Sequence, residues 1–161
     1  MTPTRIVEAL LEADDNRRFC GIVVLRNPSE PEVLLILRGG PPEEGKWACP
    51  GGHVEEDEDF EDGAKRELKE ETGIETDRVQ FFAQVPATDR EGMVHYYFTV
   101  VPEDLKVHAD DDAEKFKWSK ADEVKDLAFD CENQIKGAVE RAFATGSVAE
   151  SLARRLIEGV S

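Results

Sequence analysis

The sequence predicts an α/β domain, a mixed β-sheet held between helices. Short β-branched runs alternate with longer helical patterns, turn residues punctuate them, and no repeat or low-complexity linker breaks the order. A short amphipathic helix is expected over 5–13. Residues 19–26 (FCGIVVLR) and 33–38 (VLLILR) read as strands, separated by the turn-rich Asn27-Pro28-Ser29-Glu30-Pro31. Residues 39–45 form a loop, and 46–49 a short extended piece running into Pro50-Gly51-Gly52. Residues 60–72 predict a helix: no proline, many good helix formers, and Gly73 placed to cap the end. Strands follow at 79–85, 94–101 and 116–118. Ile135, Val139 and Phe143 lie at helical spacing and predict a helix over 133–144. Val148, Leu152 and Leu156 repeat that spacing in a terminal helix, making 131–158 a helical segment.

Composition narrows the class. With 161 residues and 40% hydrophobic content, a single domain spanning 1–161 can bury a substantial core. The charge of −16, from 20 basic and 36 acidic residues, argues against a general nucleic-acid binder, which needs a cationic face to displace counterions. Cys20, Cys49 and Cys131 are odd in number and form no CxxC pair, so a reduced cytoplasmic protein is expected. No long apolar run suggests a signal peptide or a membrane span.

The most informative stretch is 52–74, GHVEEDEDFEDGAKRELKEETGI. On a helix, successive residues rotate by about 100°, so Glu67, Glu70 and Glu71 share an arc of about 100°. Phe60, Ala64 and Leu68, at i, i+4 and i+8, form an adjoining apolar stripe suited to the core. Three crowded carboxylates repel unless a cation sits among them, and hard divalent ions with oxygen ligands, Mg²⁺ or Mn²⁺, meet that need. Gly51-Gly52 after Pro50 lets the backbone turn sharply and approach a ligand closely. Arg66 and Glu58 are placed to form a charge-assisted pair. On an arbitrary helix such glutamates are a solvated face; here the spacing reverses those odds.

Gly52, Glu58 and the run Arg66 to Ile74 fill every fixed position of a pattern that this stretch resembles, the Nudix box. That box marks hydrolases that cleave a nucleoside diphosphate linked to another group. The resemblance implies an α/β/α sandwich and a catalytic set of Glu67, Glu70, Arg66 and Glu58. It also implies metal ligation by Glu67, Glu70, Glu71 and the Gly51 carbonyl, with the Arg66–Glu58 pair orienting Glu67. Mg²⁺ or Mn²⁺ is the implied cofactor and a small nucleotide the implied partner, while charge and the lack of a long apolar run lead to no expected nucleic-acid or membrane partner.

Segments outside the box carry the substrate expectation. Residues 47–55 (WACPGGHVE), 86–92 (PATDREG) and 127–130 (LAFD) resemble the branch that hydrolyses ADP-ribose and related sugar nucleotides. Pro86 lies nearer the box than that branch places it, and Cys131 stands where a histidine is common. Arg38, Trp47, Arg90 and Phe129 are the candidate substrate contacts, against a surface or core role for each. The general base is Glu67 or an acidic residue outside the box, with Glu91, Asp111, Asp112 and Glu114 as candidates. The alternatives are a (d)NTP pyrophosphohydrolase and a non-catalytic sensor of ADP-ribose-type ligands. Against the sensor, the box is whole. The apolar stripe of the terminal helix suits a homodimer or packing on its own domain.

Overall fold

The computed structural model describes residues 18–27, 29–38, 45–87, 91–107, 113–127, 129 and 134–144. In chain order they form β1 (Arg18–Arg26), β2 (Glu32–Arg38), β3 (Trp47–Ala48), β4 (Gly51–His53), α1 (Phe60–Thr72), β5 (Gln80–Pro86), β6 (Met93–Val101), β7 (Ala113–Lys120), α2 (Ala121–Val124) and α3 (Gln134–Ala144). The expected helices at 5–13 and 148–156, and most of the loop at 39–45, lie outside the described residues. Three features differ from expectation. β7 is longer than 116–118, because it pairs with the whole of β2. β4 makes a strand of the glycines expected to form only a turn. α2 is four residues long, too short to show helical periodicity.

The strands form one mixed sheet, its main path running β3-β2-β1-β6-β5. β1 pairs with β6 in parallel along its full length, Arg18↔Met93 through Arg26↔Val101. Its other edge is shared. Leu25 and Arg26 pair antiparallel with β2, while Phe19, Cys20 and Gly21 pair antiparallel with β4. β2 is shared likewise, with β7 on one edge and both β1 and β3 on the other. So β1 and β2 pair at one end and then separate. The segment from Trp47 to His53 crosses between them, bonded first to β2 and then to β1, and the Ile22 amide donating to the Pro50 carbonyl at 2.9 Å secures the crossing.

The period-2 alternation of side chains sorts the core into two layers. Phe19, Val23 and Leu25 of β1 join Tyr96 and Phe98 of β6 under Ile135, Ala138, Val139 and Ala142 of α3. Cys20, Ile22 and Val24 join Leu34 and Tyr97 on the opposite face, under Ala64 and Leu68 of α1. β1 is buried from Phe19 to Leu25, which is why it reads as an unbroken apolar run and not as an alternation. Burying Leu68 completely contributes on the order of 2 kcal/mol toward holding α1 on the sheet. A helix on each face makes the α/β/α sandwich. No helix among the described residues is long and apolar enough to cross a membrane.

Candidate active site

The box helix begins and ends where its sequence dictates. Asp59 is extended, and its Oδ1 accepts from the Asp62 amide at 2.8 Å, capping the first turn. Gly73 sits at φ 77°, the left-handed conformation that glycine adopts at least cost, and its amide donates to the Lys69 carbonyl at 2.9 Å. Glu61 and Asp62 in the first turn and Lys69 in the last complement the helix dipole. The apolar stripe is narrow and small: Gly63, Ala64 and Leu68 are buried, and Phe60 packs at its edge. A small stripe lets α1 lie close to the sheet.

That closeness brings the helix carboxylates onto β4. Glu71 is 6% exposed, and its Oε1 accepts from the Gly51 amide at 3.0 Å. Glu67 lies one helical turn from Glu71, and burial raises its proton affinity above that of an ordinary glutamate despite the neighbouring Arg66. An added Cβ at Gly52 would lie 2.9 Å from Glu67 Oε1, so the missing side chain is what admits this carboxylate. Gly51 is bare for a different reason, since a Cβ there would collide with the Cys20 carbonyl of β1. Cys20 is buried beside Gly52, and burial pushes its thiol to about 12, so it stays protonated.

One guanidinium organises the acidic groups. Arg66 donates through Nη2 to Glu58 Oε1 at 2.7 Å and to the His53 carbonyl at 2.9 Å. Its Nε faces both Glu58 oxygens, at 3.1 and 3.2 Å, while Nη1 reaches Glu67 Oε1 at 3.1 Å and Glu70 Oε2 at 3.2 Å. The hydrogen bond from Arg66 holds the Glu58 carboxyl below the usual glutamate range, and Glu58 in turn raises the pKa of Arg66. The expected Arg66–Glu58 pair is thus formed. Two of the three helix carboxylates, Glu67 and Glu71, converge, while the exposed Glu70 turns to Arg66. Among the described residues no three acidic, histidine or cysteine side chains gather in a metal-holding arrangement. A hard divalent ion still suits the donors: they are oxygens throughout, and the buried Glu71 and half-buried Glu67 gain from a neutralising charge.

The remaining candidates are scattered. Trp47 is half-buried, with Lys117 Nζ 4.6 Å from its ring centroid, and it forms a parallel bridge with Phe129. Phe129 is 3% exposed and packs in the α3-side core, so its ring is not an open stacking face. Phe81, 45% exposed on β5, is the more accessible aromatic. Arg38 ends β2 beyond a break in the β7 register, and Glu91 is exposed just before β6. Glu114 falls within β7. Arg90, Asp111 and Asp112 lie outside the described residues. Of the histidines, His53 contributes its carbonyl to Arg66, while its ring tilts against Phe19. Sequence reasoning does not single out Arg18, whose guanidinium bonds the carbonyls of Glu55 and Glu58; a basic residue at a strand end carries no distinguishing signal.

The NUDIX domain family model matches residues 16–140. An ADP-ribose pyrophosphatase of Methanocaldococcus jannaschii is 34% identical over 110 residues, covering 65% of this chain and 64% of that protein. The oxidized purine nucleoside triphosphate hydrolase of Mus musculus is 39% identical over 91 residues, covering 56% of this chain and 51% of that protein. The chain therefore spans less than two thirds of the length of these curated relatives. Among solved structures, the NUDIX domain of Shewanella oneidensis NrtR complexed with ADP ribose superposes with a TM-score of 0.71. That match covers 90% of this chain and 99% of the other at 19% identity, and it shows a shared fold. With a complete box, the arginine-centred carboxylate cluster that the box builds, and a family match over most of its length, this chain belongs to the Nudix family.

Proposed function

We propose that this chain hydrolyses the diphosphate linkage of a nucleoside diphosphate derivative, ADP-ribose or a related sugar nucleotide, to a nucleoside monophosphate and a sugar phosphate. The observation that carries the reading is the seating of Glu71 on the Gly51 amide and of Glu67 against the bare Gly52, inside an intact box. Glu67, Glu71 and the Gly51 carbonyl, with Glu70 as a further ligand, would hold Mg²⁺ or Mn²⁺. When bound, such an ion supplies charge neutralisation at the phosphoryl oxygens and a lowered pKa for water.

The chain's own groups do the rest. Arg66 orients Glu67 and Glu70 and is itself fixed by Glu58 and the His53 carbonyl. In the overall reaction a water oxygen bonds to one phosphorus, the bridging oxygen leaves with the other phosphate, and a base takes the proton. The base is Glu67 or one of Glu91, Asp111, Asp112 and Glu114. Arg38, Trp47 and Arg90 are the proposed substrate contacts, and Phe129 supports Trp47 from the core side. Gly51 lies four positions after Trp47, a reach of at most about 14 Å, so a base on Trp47 would leave its diphosphate near the helix carboxylates.

Support for the sugar nucleotide comes from the segments at 47–55, 86–92 and 127–130, and from a 34% identical relative named as an ADP-ribose pyrophosphatase. A second reading, a (d)NTP pyrophosphohydrolase, draws on the 39% identical triphosphate hydrolase. Hydrolysis of a nucleotide panel with Mg²⁺ and then Mn²⁺, products resolved by chromatography, tests both. AMP and ribose 5-phosphate from ADP-ribose, at rates well above all others, is the expected result. Pyrophosphate from a triphosphate selects the second reading, and tight ADP-ribose binding without turnover of anything would make the chain a sensor.

A further inference from the structure

We infer that Arg18, at the start of β1 and outside the box, is a positioning residue for the carboxylate cluster. Its Nη2 donates to the Glu58 carbonyl at 2.8 Å and its Nη1 to the Glu55 carbonyl at 3.2 Å, while its own carbonyl accepts from the Val54 amide at 2.9 Å. The guanidinium also sits 4.8 Å from the ring centroid of Phe60, the first residue of α1, and that ring stacks on His95 at 3.6 Å. One side chain from the sheet thus grips both ends of the turn that leads into the box helix.

The consequence runs through Glu58. Arg18 fixes its main chain, and its carboxylate accepts from the Glu55 amide at 2.8 Å and from Arg66 Nη2 at 2.7 Å. Arg66 then holds Glu67 at 3.1 Å. A solvated surface arginine pairs with a carboxylate or with water, and neither description fits here. Its acceptors are two main-chain carbonyls three residues apart, which a planar fork can bridge and a lysine ammonium cannot match at both points. Displacing the turn by as little as about 1 Å would carry Glu58, Arg66 and Glu67 with it, an error of the size that costs positioning catalysts heavily. The catalytic arm of this inference rests on the proposed hydrolase activity; the structural arm does not.

The test compares wild type with Arg18→Gln and Arg18→Lys in three measurements. These are amide hydrogen exchange of the metal-free protein, Mn²⁺ binding by calorimetry, and kcat and KM on ADP-ribose. In Arg18→Gln, exchange at the Glu55 and Glu58 amides should quicken about 10-fold or more, Mn²⁺ affinity and kcat should each fall by about 10-fold, and KM should hold within about 2-fold, as for partners behind a metal ligand. Arg18→Lys, which keeps charge and bulk, should recover part of each loss. Unchanged exchange at those two amides, or a lower melting temperature with Mn²⁺ affinity and kcat intact, overturns the inference. Should wild type neither bind Mn²⁺ nor turn over any nucleotide, the hydrolase reading fails by itself, and the exchange data still decide whether Arg18 holds the turn.

Discussion

The two faces of the sheet are covered by helices of similar length and opposite purpose. α3 offers Ile135, Ala138, Val139 and Ala142 and closes its face as an ordinary apolar lid. α1 buries only Ala64 and Leu68 as core, then spends the adjoining arc on Glu67, Glu70, Glu71 and Arg66. Both helices stop water reaching β1. What separates them is how near their backbones must come: the box helix has to set a carboxylate on a main-chain amide of β4, and a bulkier stripe would hold it off. Support tolerates some error in distance, whereas chemistry does not.

That contrast can be broken most severely at Glu71. Glu71→Gln should lower turnover by more than about 100-fold, the upper end for residues that only back a ligand, while the melting curve stays near wild type. Near-normal activity would remove Glu71 from the proposed metal shell. The glycine pair separates the two kinds of damage. Gly52→Ala presses on the movable end of Glu67 and should cost about 10-fold or more in kcat with less than about 1 kcal/mol in stability. Gly51→Ala presses on the β1 backbone and should destabilise by about 1–3 kcal/mol, measured by urea unfolding. On the other face, Val139→Ala should lose about 2 kcal/mol through transfer and cavity terms and leave kcat and KM alone.

The smallest effects are those of pH on the metal-free protein, and they oppose each other within one cluster. The folded pKa of Glu58 lies below the ordinary 4.5, so its contribution is present above that value and fades as pH falls through the lowered one. The folded pKa of Glu67 lies above 4.5, so its protonated form is favoured, and that contribution is lost as pH rises through the raised value. Glu58→Gln should therefore flatten the acid limb of melting temperature against pH. Glu67→Gln should raise the metal-free melting temperature at pH 7 relative to wild type. The same sign for both variants at pH 7 would overturn the division in which the guanidinium governs Glu58 and burial governs Glu67.

Much of this was legible in the residues, and the reasons are particular. The helix at 60–72 was marked by its run of good helix formers, its apolar spacing and Gly73, all local signals. The long strands announced themselves as apolar runs, with boundaries within one residue for 19–26 and 94–101. The length of β7 was hidden because pairing with β2, not composition, extends it through Lys115 and Lys117. β4 was hidden because two glycines have no strand propensity, and tertiary pairing with Phe19–Gly21 overrides that. Within the site, spacing gathered the glutamates and the Arg66–Glu58 pair. It could not show Phe129 sunk in the core or Arg18 reaching across from the sheet, because each depends on contacts distant in sequence. Arg66 and Glu70 lie at i,i+4, but spacing alone does not choose between that ion pair and a carboxylate turned toward Glu67 and Glu71.

The crossing between β2 and β1 also bears on how the molecule is made. Trp47 to His53 needs partners on two strands at once, with Trp47 and Ala48 on β2 and Gly51 to His53 on β1. The parallel pairing of Arg18 with Met93 closes a long stretch of chain, a slow event for which local turns cannot substitute. Gly51 and Gly52 take their positions beside Glu71 and Glu67 only through the pairing of β4 with β1, a contact between segments distant in sequence. A chain in which β4 is not paired with β1 would carry the acidic helix without the backbone that organises it, and would lack the proposed hydrolase activity.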